Sequence, residues 1–332
     1  MERFNAFRIH HNTVSGHHAG MESIDVDTLT PGNLLVKVAY SSVNYKDALA
    51  GTGKARILRH YPLNGGIDLA GHVVASREAT FKEGDAVLCT GSGLSETRDG
   101  GYACYARPDP HSTIPLPTGL SLRESMILGT AGFTAALSLL HMQNNRQTPT
   151  SGPIAITGAS GGVGQLAIDI YSRAGYEVHA ISAKTEHFER LRSLGATQCI
   201  DRHALAFRDK PLDTVRFGAV LDNLGGAMLA GLLPQVTAGG NVALCGNTAG
   251  MHFKTTVMPF IIRGVNLLGI ASAHATHELR EAVWQYLAGP WKPRHLERIL
   301  SEEITVKDLP NKFNRMLAGQ SFGRTLVHLE SA

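Results

Sequence analysis

Cysteine is scarce in this sequence: 332 residues hold four, Cys89, Cys104, Cys199 and Cys245, with no C-x-x-C pair and no His/Cys cluster at zinc-ligand spacing. That excludes a disulfide-stapled scaffold and leaves reduced thiols in a cytoplasmic protein as the expectation. Long apolar runs are missing too. None approaches the ~18 residues of a membrane span, and the opening MERFNAFRIHHNTV has no apolar h-region, so no membrane partner is expected. Blocks of like charge are also absent: the net charge of +3 is dispersed, which gives nucleic-acid binding no footing and supports at most a weak preference for an anionic ligand.

What remains is a chain with 43% hydrophobic and 18% charged residues and 36 glycines, the composition of a folded α/β protein rather than a disordered one. At about 100–200 residues per domain it is long enough for two. Residues 1–115 read as short strands and turns (FNAFRI, NLLVKVAYSSV, AGHVVAS, DAVLCTG). From Ser121 the period turns helical, in SLRESMILGTAGFTAALSLLHMQ, with Ser121 and Glu124 at capping-box spacing. Beyond the linker NNRQTPTSGP, strands and helices alternate (IAITG, YEVHAIS, QCID, FGAVLDNL, GNVALCG, NLLGIA), which predicts a parallel sheet with right-handed crossovers. The last segment adds a helix at THELREAVWQYLAG and a strand at RTLVHLE.

The stretch TGASGGVGQL, Thr157 to Leu166, opens a helix directly after a strand. Ala159 is small enough for the tight turn, Gly161 lets the backbone approach a pyrophosphate, and Gly164 lets helix pack on strand. The helix N-terminus offers unpaired amides and the positive end of its dipole. A dinucleotide is therefore expected here. At the end of the next strand an NAD site carries an Asp or Glu for the ribose 2′-hydroxyl, whereas this chain has Ser182, Ala183 and Lys184. A hydroxyl and an ammonium without a carboxylate predict NADPH. Arg202 after the third strand is either a second cation for the site or a solvated surface charge, and Glu186 is the counter-indication.

The order of β module, GTAGFTAA helix, TGASGGVG loop and C-terminal return resembles the medium-chain dehydrogenase/reductase superfamily. SSVNYKDALA, GIDLAG, GGYACYA, TVMPFIIRGVNLLGI and the closing GRTLV are similar to its zinc-free branch of acrylyl-CoA reductases and quinone oxidoreductases. The resemblance implies an α/β architecture: a GroES-like β-rich catalytic domain plus a Rossmann doubly wound parallel sheet, with the active site in the cleft between them. The implied boundaries are 1–123 for the main part of the catalytic domain, 124–272 for the NADP-binding domain and 273–332 for the return to the first. A homodimer joined through the Rossmann sheets is implied as well. Zinc is not, because Asn44-Tyr45-Lys46-Asp47 occupies the region of a metal-ligating cysteine and His72 lacks partners. Carried over by motif, the cofactor-binding set is Tyr45 at the nicotinamide end, Ser160, Gly161, Gly162 and Val163 at the pyrophosphate, Ser182, Ala183 and Lys184 at the 2′-phosphate, Arg202 near the adenosine, and Asn247, Ile261, Ser272 and Gln320 along the lining. The chain departs from the family pattern at Asn247, at LDNLGG and at Cys104.

A hydride donor needs an electrophilic carbon beside it, donors toward the oxygen that gains charge, and a proton for the α-carbon. Tyr45, Asn44 and Asp47 are the catalytic candidates, although NYKDA also fits a strand-to-helix cap. Lys46 and Arg324 read as solvated or CoA-facing charges, and Lys54, Arg56 and Arg59 as further candidates for a CoA phosphate. The favoured substrate is acrylyl-CoA or a similar short enoyl thioester. A quinone is the alternative, and a non-catalytic NADPH-binding structural or regulatory protein is the alternative of another class. HHNTVSGHHAG places His10, His11, His17 and His18 about a turn, where four imidazoles either bind a transition metal or decorate an exposed hairpin.

Overall fold

In a computed structural model, which describes residues 3–12, 14 and 16–329, the chain forms two compact units. The first takes Met1–Thr130, Ser272–Ala288 and Leu296–Ala332; the second takes Ala131–Ala271 and Gly289–His295.

Period-two alternation builds the first unit. β1 (Phe4–Asn12) pairs antiparallel with β2 (Gly16–Ile24), the hairpin expected around the histidines. β3 (Leu34–Ser42) turns Leu34, Val36 and Val38 into the core and leads through Val43 and Asn44 into α1 (Tyr45–Thr52). β4 (Leu63–Asn64) joins β1 to complete a three-stranded sheet. β5 (Asp68–Ser76), β6 (Ala86–Thr90), β7 (Tyr105–Ala106) and β8 (Thr113–Pro115) extend the sheet of β3, with β7 beside β3 off the main path. Phe7, Leu34, Val36, Leu69 and Tyr102 meet in the core beneath.

α2 (Leu122–Asn144) begins with the expected capping box: Ser121 N–H donates to Glu124 Oε2 (2.9 Å) and Glu124 N–H to Ser121 Oγ (3.1 Å). Contrary to the sequence reading of its apolar runs, this helix is long and apolar enough to cross a membrane. However, 83% of the apolar window is buried within the protein, so its apolarity serves the interior. The helix breaks at Gly129, whose φ of 50° and ψ of −156° are not helical.

The second unit alternates strand and helix except between β11 and β12, which only a 3-10 turn separates: β9 (Ile154–Thr157), α3 (Gly162–Arg173), β10 (Val178–Ser182), α4 (Phe188–Ser193), β11 (Gln198–Asp201), β12 (Phe217–Asp222), α5 (Gly226–Leu232), β13 (Val236–Leu244), α6 (Met258–Arg263) and β14 (Asn266–Gly269). All six strands are parallel, in the order β11-β10-β9-β12-β13-β14. β9 and β12 are buried along their whole length, as central strands covered on both faces must be. The strand order reverses between β9 and β12, the switch point at which doubly wound sheets bind ligands.

The C-terminal part serves both units. α7 (His277–Ala288) belongs to the first, but Gly289–His295 belongs to the second. Buried Asp169 of α3 accepts from the amides of Arg294 (3.1 Å) and His295 (2.8 Å), and Arg173 Nε donates to Pro290 O (2.8 Å). The chain then re-enters the first unit with α8 (Leu296–Ile299), β15 (Leu300–Thr305), α9 (Leu309–Leu317) and β16 (Arg324–His328). β16 pairs antiparallel with β3, and β15 lies parallel to β16.

Candidate active site and cofactor loop

β9 delivers the chain to the carboxyl edge of the sheet. The left-handed residue the turn needs is Gly158, with φ of +59°, so Ala159 is no defect. Ala159 is buried and donates its amide to Ile181 O (3.1 Å). A Cβ on Gly164 would stand 2.5 Å from Gly158 O and 2.6 Å from Ala159 Cα, so the close helix–strand approach expected there is real. Gly161 is the N-cap of α3, and no side chain caps its first amides; Gln165 Nε2 braces the loop from inside through Ser160 O (2.8 Å). Bare amides at the head of a twelve-residue helix, beside a turn with little side-chain bulk, fit a pyrophosphate.

Ser182 closes β10. It is buried, donates to Ser160 Oγ (3.1 Å) and accepts from the Lys184 amide (3.0 Å), so the two expected subsites are joined by one hydroxyl pair. Ala183 is exposed and Lys184 half-buried. Glu186 is exposed and lies 3.9 Å from His187, its nearest ion-pair partner. β11 ends beside β10, with Ser182 opposite Asp201, which brings half-buried Arg202 to the same edge. The Asp201 carboxylate accepts from His203 N–H (2.9 Å) and caps the next turn. Ser160–Val163, Ser182–Lys184 and Arg202 are thus gathered at three adjacent strand ends. Asn247, exposed beyond β13, and Ile261, 68% exposed on α6, lie elsewhere in this unit.

Sequence reading missed the clamp at the switch point. Asp222 Oδ1 accepts from Thr157 Oγ1 (2.7 Å) and its Oδ2 from Gly225 N–H (2.7 Å); Asn223 Nδ2 donates to Thr157 O (2.7 Å). Burial raises the Asp222 carboxyl above the usual carboxylate range, against these donors. The departure from the family pattern at LDNLGG is this clamp, and the signal was an Asp-Asn pair closing an apolar strand.

In the first unit the NYKD turn forms the cap that the sequence admitted as an alternative. Asp47 Oδ2 accepts from Asn44 N–H (2.8 Å), and its Oδ1 from Ile67 N–H (2.9 Å). Asn44 Nδ2 donates to Asp68 Oδ2 (2.8 Å), and its Oδ1 accepts from Arg324 Nη1 (3.2 Å). Both side chains are therefore occupied in holding the turn. Tyr45, between them, is 38% exposed. Asp47 is fully buried, and burial, then the neighbouring Asp68 charge, push its carboxyl up to about 7.

Arg324 is not solvated. It is 3% exposed and donates to Ile127 O (2.8 Å), Val43 O (3.1 Å) and Ser42 Oγ (2.7 Å), with Nη2 4.0 Å from Asp68 Oδ2. Asp68 also accepts from Ser42 Oγ (2.6 Å) and from Thr130 N–H (2.9 Å) and Oγ1 (2.5 Å). Lys46, read as a solvated or CoA-facing charge, is paired with Glu96. Ser272 and Gln320 belong to this unit as well: Ser272 O accepts from Arg280 Nη2 (3.4 Å), and Gln320 is exposed.

The donors here do not fit a catalytic zinc. Both Asp68 oxygens are taken up by hydrogen bonds, and Cys89 is buried on β6. His72 is exposed on β5, opposite Lys37.

Two family models match this chain: the alcohol dehydrogenase GroES-like domain over residues 30–118 and zinc-binding dehydrogenase over residues 162–288. The acrylyl-CoA reductase AcuI of Ruegeria pomeroyi is 38% identical over 330 residues, covering 99% of this chain and all of its own. YhfP of Bacillus subtilis, which carries a provisional quinone oxidoreductase name, is 40% identical over 310 residues, 93% of this chain and 94% of its own. Its crystal structure with NAD bound covers 99% of this chain and all of its own at a TM-score of 0.94. The yhdH oxidoreductase of Salmonella enterica, solved in complex with NADP, is 38% identical, covers 98% of this chain and all of its own, and has a TM-score of 0.94.

Proposed function

The chain belongs to the medium-chain dehydrogenase/reductase superfamily, in its branch of AcuI-like and quinone-oxidoreductase-like proteins, and from that premise we propose an NADPH-dependent, zinc-independent reductase of activated carbon–carbon double bonds. The favoured substrate is acrylyl-CoA or a similar short enoyl thioester. One observation carries the reading: in the NYKD turn the side chains of Asn44 and Asp47 are bound into the fold, while the Tyr45 phenol stays exposed at the head of α1.

When bound, NADPH supplies the hydride for the β-carbon. The Tyr45 phenol hydrogen-bonds the thioester oxygen as negative charge gathers there, then gives that one proton to the α-carbon as the carbonyl re-forms, and solvent reprotonates the tyrosinate. Asn44 and Asp47 act through Tyr45, because they fix the first turn of α1. The amides of Gly162 and Val163, with Ser160 and Gly161, hold the pyrophosphate, and Ser182, Ala183, Lys184 and Arg202 hold the 2′-phosphate. Asn247 and Ile261 of the second unit and Ser272 and Gln320 of the first are carried into this proposal by motif alone.

Following NADPH oxidation with acryloyl-CoA, with a small quinone and with neither separates the candidates. Turnover on the thioester is the expected result. Turnover on the quinone alone establishes the second reading, which the YhfP name favours, and cofactor binding without turnover on either establishes a structural or regulatory protein. Michaelis constants for the two nicotinamides test the cofactor choice. The NAD-bound relative makes that comparison pointed, and a preference for NADH of about tenfold or more overturns NADPH.

The assembly we propose is a homodimer joined at β14, the edge strand of the second unit, where Leu267 is an exposed apolar side chain, as are Val257 and Ile262 shortly before it in sequence. A reducing, cytoplasmic location is supported by four cysteines that are all free thiols.

A further inference from the structure

The histidines of the first hairpin have no part in this chemistry. β1 and β2 set His10 opposite His18 and His11 opposite His17, so strand alternation puts the first couple on one face of the ribbon and the second on the other. The second couple packs against its own unit: His17 Nε2 is 3.1 Å from Gly51 O, and the His11 ring centroid is 5.5 Å from that of Tyr61.

The first couple is arranged differently. The rings of His10 and His18 stack at 4.6 Å, with 6° between their planes. Along the same face Arg8 stands opposite Gly20 and Ala6 opposite Glu22. Gly20 has no side chain, and no atom lies within 4 Å of where its Cβ would be, which leaves the surface open for Glu22 to reach back along the ribbon. Glu22 Oε1 lies 2.6 Å from His10 Nε2, and one donor atom from each of His10, His18 and Glu22 falls within 4.8 Å of the other two. Ligands held at ~2.0–2.2 Å from a tetrahedral ion stand ~3–4 Å apart, so a rotation of the exposed His18 ring out of its stack closes the set.

We propose that His10, His18 and Glu22 form a site for a divalent transition-metal ion, Zn²⁺ or its neighbours Ni²⁺ and Cu²⁺, with water completing the shell. Two imidazoles and one carboxylate suit these ions and not the oxygen-seeking Mg²⁺ or Ca²⁺. Arg8 Nε, 3.7 Å from Glu22 Oε2, engages the second carboxylate oxygen, leaves Glu22 one ligand atom and opposes the dication, which limits affinity. A bound ion ties β1 to β2 beside the turn.

The test is calorimetric titration of the tag-free full chain with ZnCl₂ alone at about pH 8, where free imidazole is neutral. One ion per chain is expected, weakened on the order of tenfold or more in His18→Ala and in Glu22→Gln and unchanged in the double variant His11→Ala/His17→Ala. Melting curves without metal check that each variant is folded. Equal binding by wild type and both single variants, loss confined to the His11/His17 variant, or no saturable heat in wild type overturns the proposal.

Discussion

Tyr45 and Asp47 stand two residues apart in opposite surroundings, the first exposed and the second fully buried, and their substitutions report on different things. Tyr45→Phe keeps the ring and removes the proton. If the phenol acts as proposed, kcat falls on the order of 10²-fold or more while KM for NADPH holds, and an unchanged kcat at saturating substrate removes Tyr45 from the chemistry. Asp47 speaks to stability. Its carboxyl is raised from 3.8 to about 7 by burial and by the Asp68 charge, so its contribution is complete below the unfolded value and is lost as the pH climbs through about 7. Denaturant midpoints of the wild type are therefore expected to decline from about pH 4 to about pH 7 through this group, and Asp47→Asn flattens that part of the profile. An identical slope in the variant refutes the assignment. The sequence identified this turn but not its division of labour, since NYKDA satisfies both a cap and a catalytic trio until the hydrogen-bond partners are known. Arg324 was misread for a related reason: its acceptors at Ile127 and Ser42 lie 197 and 282 residues earlier, and nothing local to GRTLV announces them.

At the level of elements, the break in α2 is the sharpest constraint. Gly129 has a positive φ, and a Cβ there would meet Asp68 Oδ2 at 2.6 Å, Ser42 Oγ at 2.7 Å and Arg324 Nη2 at 2.8 Å. Gly129→Ala is expected to cost about 1–3 kcal/mol from backbone strain, with the crowding of three buried polar groups added to it. A lower urea midpoint at constant m-value reads this, and an unaltered midpoint would show that the break tolerates a side chain. The capping box that starts this helix was legible, because Ser121 and Glu124 are three residues apart and settle it between them. The break was not, because the apolar period of SMILGTAGFTAA runs through it undisturbed. The same contrast divides the strands. The βα alternation of the second unit could be read from local pattern, whereas the pairing of β16 with β3 depends on partners about as far apart as the chain allows.

For the whole molecule, the proposed cofactor is also a ligand of the native state. At about 100 times its dissociation constant NADPH adds about 2.7 kcal/mol to stability and raises Tm, and NADH at the same concentration is expected to raise it less. Equal shifts would show that Ser182, Lys184 and Arg202 do not discriminate. The family and both architectures were readable because glycine loops, strand alternation and long motifs are contiguous in sequence. The assignment of Gly289–His295 was not, because it hangs on a carboxylate in the middle of α3. That one feature limits how this protein can be taken apart or recombined. The nucleotide-binding half is not a cassette between two cut sites: a transplant carrying only 131–271 leaves Asp169 buried without the amides of Arg294 and His295. Exchange of this half between relatives must therefore carry the short downstream strap with it, as two pieces inherited together.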